Sequence, residues 1–139
     1  GGNISTIEAA FAEIHSRRSY DRKGADNRPD LALKRRDWWD YREVMNLCNQ
    51  LYPAGHGSHA TASEVSVTYW AYPDRERQHT AMSPKIAPTG TISDAVRYRR
   101  DFPDGRIGSD PTQSNEADGG KIVEVAAKCL LEELARFSA

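Results

Sequence analysis

The sequence predicts an α/β fold, and three observations carry that prediction. Gly1-Gly2-Asn3 runs straight into an amphipathic helix, an arrangement normally preceded by a buried strand, so the chain is expected to enter in the middle of a βα unit. Leu31 to Arg35 reads as a short strand with Leu31 and Leu33 on one face. Helical stripes then recur along the chain and end in a long terminal helix from about Asn115 to Phe137.

The first helix is signalled by Ser5-Thr6-Ile7-Glu8, which has the Ser-x-x-Glu spacing of a capping box. Ile4, Ile7, Phe11 and Ile14 form its stripe. It should end near Arg18, where Arg17 and Arg18 suit the negative end of the helix dipole. Residues 19–30 are polar, with Gly24 and Pro29, and read as a loop. The basic run Lys34-Arg35-Arg36 lies among Asp30, Asp37 and Asp40, so a solvated, charge-paired face is favoured over an anion site. Trp38-Trp39 is a heavy apolar pair that suits either core packing or a substrate wall. Val44, Leu47, Cys48 and Leu51 space a second helix, stopped by Pro53 and Gly55.

The segment from Gly55 to Pro73 carries two competing signals. Val65, Val67, Tyr69 and Ala71 alternate as a strand would. Thr61-x-x-Glu64 is a second capping box, and Ala62, Val65, Tyr69 and Tyr72 recur at helical spacing. The cap decides for a helix, ended by Pro73 and Asp74. Residues 75–111 read as a long irregular excursion of the kind that shapes a site or an interface. In the terminal helix, Val123, Ala127, Leu130, Leu134 and Phe137 form the stripe expected to be buried.

Composition narrows the function classes. The 139 residues carry 19 Lys+Arg against 20 Asp+Glu and are 38% apolar, enough for one core but not two. A net charge of -1 gives no general attraction to nucleic acid or to an anionic membrane. No apolar stretch is long enough to span a bilayer, and Gly1-Gly2-Asn3 does not open a signal peptide. Cys48 and Cys129 sit in helical apolar patterns as small hydrophobes, which fits a reducing, cytoplasmic compartment.

Four histidines are available for chemistry. His15 and His79 read as surface positions. His56 and His59 differ, because they lie in a Gly/Ser-rich turn just before a helix N-terminus, with Glu64 following in the first helical turn. Histidine exchanges a proton near neutral pH, and a carboxylate beside it orients the ring or binds a metal. Five residues along a helix lie about 140° apart, so His59 and Glu64 converge only if His59 precedes the helix. Read without chemistry, Glu64 is a plain capping-box glutamate and His59 a turn residue.

Three motifs in order resemble the creatininase (creatinine amidohydrolase) family. Gly1-Gly2-Asn3 with its helix is similar to the end of that family's Asn-Gly-His-Gly-Gly-Asn motif. Ser58-His59-Ala60-Thr61-Ala62-Ser63-Glu64-Val65-Ser66 resembles its His-Ala-Gly-x-x-Glu-Thr-Ser segment. Asp104-Gly105-Arg106-Ile107-Gly108-Ser109-Asp110-Pro111 resembles its Gly-x-x-Gly-Asp-Pro closing region.

The resemblance implies a three-layer α/β/α fold around a mostly parallel sheet, with residues 1–139 as the C-terminal half of a single domain. It implies a homo-oligomer, hexameric in the family, acting on a small-molecule amide. It also implies hydrolysis of a C–N bond, in an amide, cyclic amide or formamide, by a metal-activated water. Zn, Mn or Fe would serve as the divalent metal in the complete enzyme. His59 becomes the proton donor, and Glu64 its orienting partner or an additional metal ligand. Gly1, Gly2, Asn3, Ser58 and His56 become substrate-side residues. The principal metal ligands of the family fall in an N-terminal half that this chain lacks, so the chain alone is expected to be inactive.

The resemblance also has departures. Creatininases proper carry Tyr and Glu where Gly1 and Gly2 stand, and Trp and Asp where Gly55 and His56 stand, which disfavours creatinine itself as substrate. Two other classes remain beside the hydrolase: a catalytically silent structural subunit of the same fold, and a small-anion binding module built on the helix N-termini at Ser5 and Thr61.

Overall fold

The computed structural model describes residues 3–20, 31–75, 77 and 81–137. Gly1, Gly2, the central part of the expected loop (21–30) and His79 lie outside the described residues. The chain divides into two compact units, Gly1–Asp37 and Trp38–Ala139.

In the first unit, α1 spans Ile4–Tyr20. Its first backbone bond runs from the Ile7 N–H to the Asn3 carbonyl at 3.0 Å, so Ser5 lies inside the first turn rather than capping it. Residues 31–37 are irregular. The expected strand from Leu31 to Arg35 does not form; a few extended residues without a pairing neighbour gain no ladder hydrogen bonds. Arg35 instead engages the carboxylates of Asp37 and of Glu8, the latter at 3.9 Å, with its side chain only partly exposed.

The second unit is a helical packing. A 3-10 turn, Trp38–Asp40, leads into α2, Arg42–Leu51, followed by α3, Ala62–Ala71, α4, Ala95–Asp101, a 3-10 turn at Pro111–Gln113, and α5, Glu116–Phe137. The structure is 59% helical with no strand or sheet among the described residues, so the three-layer α/β/α architecture is not seen. Among the described residues the one extended pairing is an isolated antiparallel bridge between His59 and Ile107. The alternation at residues 65–71 yields to the Thr61–Glu64 capping box, which forms on both sides and commits that segment to helix. No described helix is long and apolar enough to cross a membrane.

The core joins α2, α3 and α5. Val44 and Cys48 of α2 pack with Ala62 of α3 and with Ile122 and Ala126 of α5, capped by Tyr52. Val44, Cys48 and Ile122 are fully buried, and removing an isoleucine or valine side chain from water stabilises by roughly 1.5–3 kcal/mol each. Trp38, partly buried, packs against this cluster. Cys48 is buried, and both cysteines are free thiols.

Two stripes sit differently from the sequence expectation. On α3 the buried face is small and polar, Ala62, Ser63 and Ser66, while Tyr72 lies beyond the helix and is exposed. On α5 the buried positions are Gly119, Ile122, Ala126 and Glu133, and Leu130, Leu131, Leu134 and Phe137 are exposed. The reason is a backbone approach. A Cβ at Gly119 would lie 2.0 Å from the Ser66 carbonyl oxygen. That close crossing fixes the rotation of α5 and turns its leucines outward.

Candidate functional site

Two loops build the site, and both are held by backbone bonds. Gly55 to Ala60 runs beside Ile107 to Asp110. The Asp110 N–H donates to the Gly55 carbonyl at 2.7 Å, Ser58 N–H to Ile107 at 2.9 Å, and Ile107 N–H to His59 at 3.3 Å. The Ser109 hydroxyl donates to the same His59 carbonyl at 2.7 Å. Gly57 makes this approach possible. Its φ is +71°, and a Cβ there would lie 2.5 Å from the Ile107 carbonyl oxygen. Ala60 also has positive φ, 52°, and reverses the chain into the N-cap Thr61.

A third segment is pinned against these loops by Arg106, which is 2% exposed. Its guanidinium donates to the carbonyls of Pro84 (2.8 Å), Lys85 (2.7 Å) and Ser109 (3.1 Å). It also pairs with Asp104, whose carboxyl it holds below the usual range. Asp110 closes the loop by accepting from the Thr112 N–H and capping the turn that follows.

His59 stands on the outer rim. Its backbone is anchored from two sides while the side chain is exposed. The imidazole lies 5.9 Å from the Tyr98 ring, tilted 60°. Tyr98 is itself fixed by its hydroxyl donating to the Gly105 carbonyl at 2.9 Å and by its packing on Phe102. Tyr98 comes from α4, capped by Asp94 accepting from Val96 and Arg97 N–H at 2.9 Å each. This stretch is expected from sequence to be irregular, yet it forms a helix, and Asp94 ahead of a short run ending in Arg99 and Arg100 is the signal for it.

His56 occupies the inner side. It is half-buried, stacks on Tyr52 at 5.9 Å with an 11° interplanar angle, and its Nε2 lies 2.8 Å from the Ser63 hydroxyl. Burial pushes its pKa below the usual imidazole value, and the charge of Glu64 opposes that shift. Burial also raises the thiol of Cys48 and the phenol of Tyr52 behind it.

α3 begins at Ala62 with Glu64 in its first turn, so His59 does precede the helix. The contacts of the two side chains nevertheless differ. The Glu64 carboxylate accepts from the Thr61 N–H and the Thr61 hydroxyl, both at 3.0 Å. Through Thr61 and Ser63 it is joined to His56, while the ring contact of His59 is to Tyr98. Ser58 is exposed on the rim, and Asn3 opens α1 in the other unit.

The chemistry on offer is proton transfer from His59 and hydrogen bonding from Ser58 and His56. Among the described residues no group of three or more His, Cys, Asp or Glu side chains converges, and structural or catalytic divalent sites need at least that many ligands. At the α3 N-terminus the Glu64 carboxylate itself accepts from the Thr61 N–H, and Thr61 Oγ1 accepts from the Glu64 N–H, so a negative charge already sits at that end of the helix.

Tyr98 is not marked by the sequence at all. Thr61 is marked as an N-cap and a helix N-terminus, and Ser63 and Arg106 only as parts of motifs.

Comparison with known proteins gives one result. The family model Creatininase, creatinine amidohydrolase, matches residues 1–134. No curated protein gives a significant match.

Proposed function

The chain belongs to the creatininase family, and from that premise we propose that it supplies the proton-donating wall of a hydrolase cleaving an amide-type C–N bond. Family membership points to hydrolysis of a small-molecule substrate and to general metal dependence. The bond class is an amide, cyclic amide or formamide. His59 gives its proton to the departing nitrogen, and Ser58 and His56 hold the substrate from the same loop. Glu64 is the orienting carboxylate of this wall.

The observation that supports the reading is the contrast at His59 between a held backbone and an open ring. Its carbonyl is bound by Ile107 N–H and Ser109 hydroxyl, and its imidazole faces solvent beside Tyr98. A general acid needs that combination, since misplacement of the donor erodes proton transfer.

The divalent ion, Zn, Mn or Fe, would take its ligands from residues outside those described. The roles assigned to this chain stop at its own side chains. Assembly of the complete protein as a cytoplasmic homo-oligomer, hexameric by family resemblance, belongs to the same proposal.

The test is turnover of amide, cyclic amide and formamide substrates by the complete protein before and after chelation. Chelator-sensitive hydrolysis restored by Zn or Mn is expected. Binding without turnover, indifferent to chelator, would overturn the hydrolase reading in favour of a binding module.

A further inference from the structure

The hydroxyl groups between Glu64 and His56 have only one consistent arrangement of protons. An ionised carboxylate accepts and cannot donate, so the Thr61 hydroxyl gives its single proton to Glu64 Oε2 at 3.0 Å. Towards Ser63, 2.9 Å away, Thr61 can then only accept, and Ser63 donates. The Ser63 proton is thereby committed, so towards His56 Nε2 at 2.8 Å the serine can only accept. The imidazole must be the donor at Nε2. The Glu64 N–H donates to the other lone pair of Thr61 Oγ1 at 3.2 Å.

We propose that Glu64 is a positioning residue for His56, acting through Thr61 and Ser63 to lock the imidazole as its Nε2–H tautomer and leave Nδ1 as an acceptor for a substrate N–H. Among the described residues Nδ1 has no hydrogen-bond partner, and it is not among the fully buried unsatisfied atoms, so solvent reaches it. A neutral ring with its proton fixed on the inner nitrogen presents a lone pair outward, and amide-type substrates carry N–H groups to meet it. This deepens the proposed function and rests on that reading of the loop as the substrate wall. It also separates the two histidines: His59 donates, His56 accepts.

The test is nitrogen NMR on the full chain labelled with 15N-histidine, the four histidines being assigned through single substitutions. In the unsubstituted protein near neutral pH, His56 should show a protonated pyrrole-type Nε2 and an unprotonated pyridine-type Nδ1. Glu64→Ala frees the Thr61 proton to turn towards Ser63, which lets Ser63 donate to the ring. The Nδ1–H form should then appear, drawing the two nitrogen shifts together. Glu64→Gln keeps an acceptor at that position and should restore the original pair of shifts.

A glutamate acting only as a helix cap would leave the ring protons unmoved by Glu64→Ala. That result, or Nδ1–H in the unsubstituted protein, overturns the proposal, whether or not the variant is less stable. Formamide should move the Nδ1 resonance, and N,N-dimethylformamide, which lacks an N–H, should not. Equal responses, or none, overturn the acceptor role. None of these readouts depends on turnover, so the proposal can fail while His59 still proves to be the proton donor, and the reverse.

Discussion

His56 and His59 are separated by two residues and live in different surroundings. The inner ring is stacked on Tyr52, bonded to Ser63 and held below the usual imidazole pKa by burial. The outer ring is exposed beside Tyr98, with its backbone rather than its side chain held in place. The left-handed turn at Gly57 lies between them. The lesson is that a short Gly/Ser loop gives two chemically identical groups different partners, and that those surroundings then give them different work. Proximity in sequence says little about which histidine a carboxylate serves.

The most damaging way to abolish that difference is Gly57→Ala. The substitution combines a positive φ with a Cβ 2.5 Å from a backbone carbonyl, so the loop must leave its partner at 107–109. A left-handed alanine costs about 1–2 kcal/mol and forced overpacking about 1–3 kcal/mol more. Urea denaturation should show a loss in that combined range, with both histidine environments changed together.

Thr61→Ala acts on the inner side alone. It removes the capping hydroxyl and should cost about 1 kcal/mol by urea denaturation. The contact between His59 and Tyr98 should survive, because none of its supports passes through Thr61.

The smallest effect is in pH dependence. His56 has a lowered pKa in the fold, so the unfolded chain binds more protons over the interval below the ordinary imidazole value of about 6.5. Its contribution to stability is therefore present above about pH 6.5 and is lost as the pH falls through the depressed value in the fold. His56→Gln should flatten this part of the stability profile, as read by urea denaturation across that pH interval.

Much of the local structure was legible in the sequence. The Thr61–Glu64 box outweighed the β-branched alternation that followed it, and α2 follows from the spacing of Val44, Leu47, Cys48 and Leu51. The buried face of α5 was not legible. Counting apolar residues selects the leucines, whereas Gly119, which has no side chain to count, sets the rotation through its approach to Ser66. The expected sheet failed for a related reason. A strand such as Leu31 to Arg35 exists only with a neighbour to pair with, and pairing is a tertiary fact rather than a local one.

The site was legible as a set of residues and not as a set of partners. His56, His59, Ser58 and Glu64 were all marked. Their wiring depended on two hydroxyls, at 61 and 63, that look like ordinary capping residues until their distances are known.

The most direct measurement is hydrolysis of an amide-type substrate by the complete protein carrying His59→Ala, compared at matched folding with the unsubstituted enzyme. Loss of a positioned general acid should lower kcat by roughly 10²–10⁴-fold. Full activity in the His59→Ala protein would contradict the assignment of this chain as the proton-donating wall.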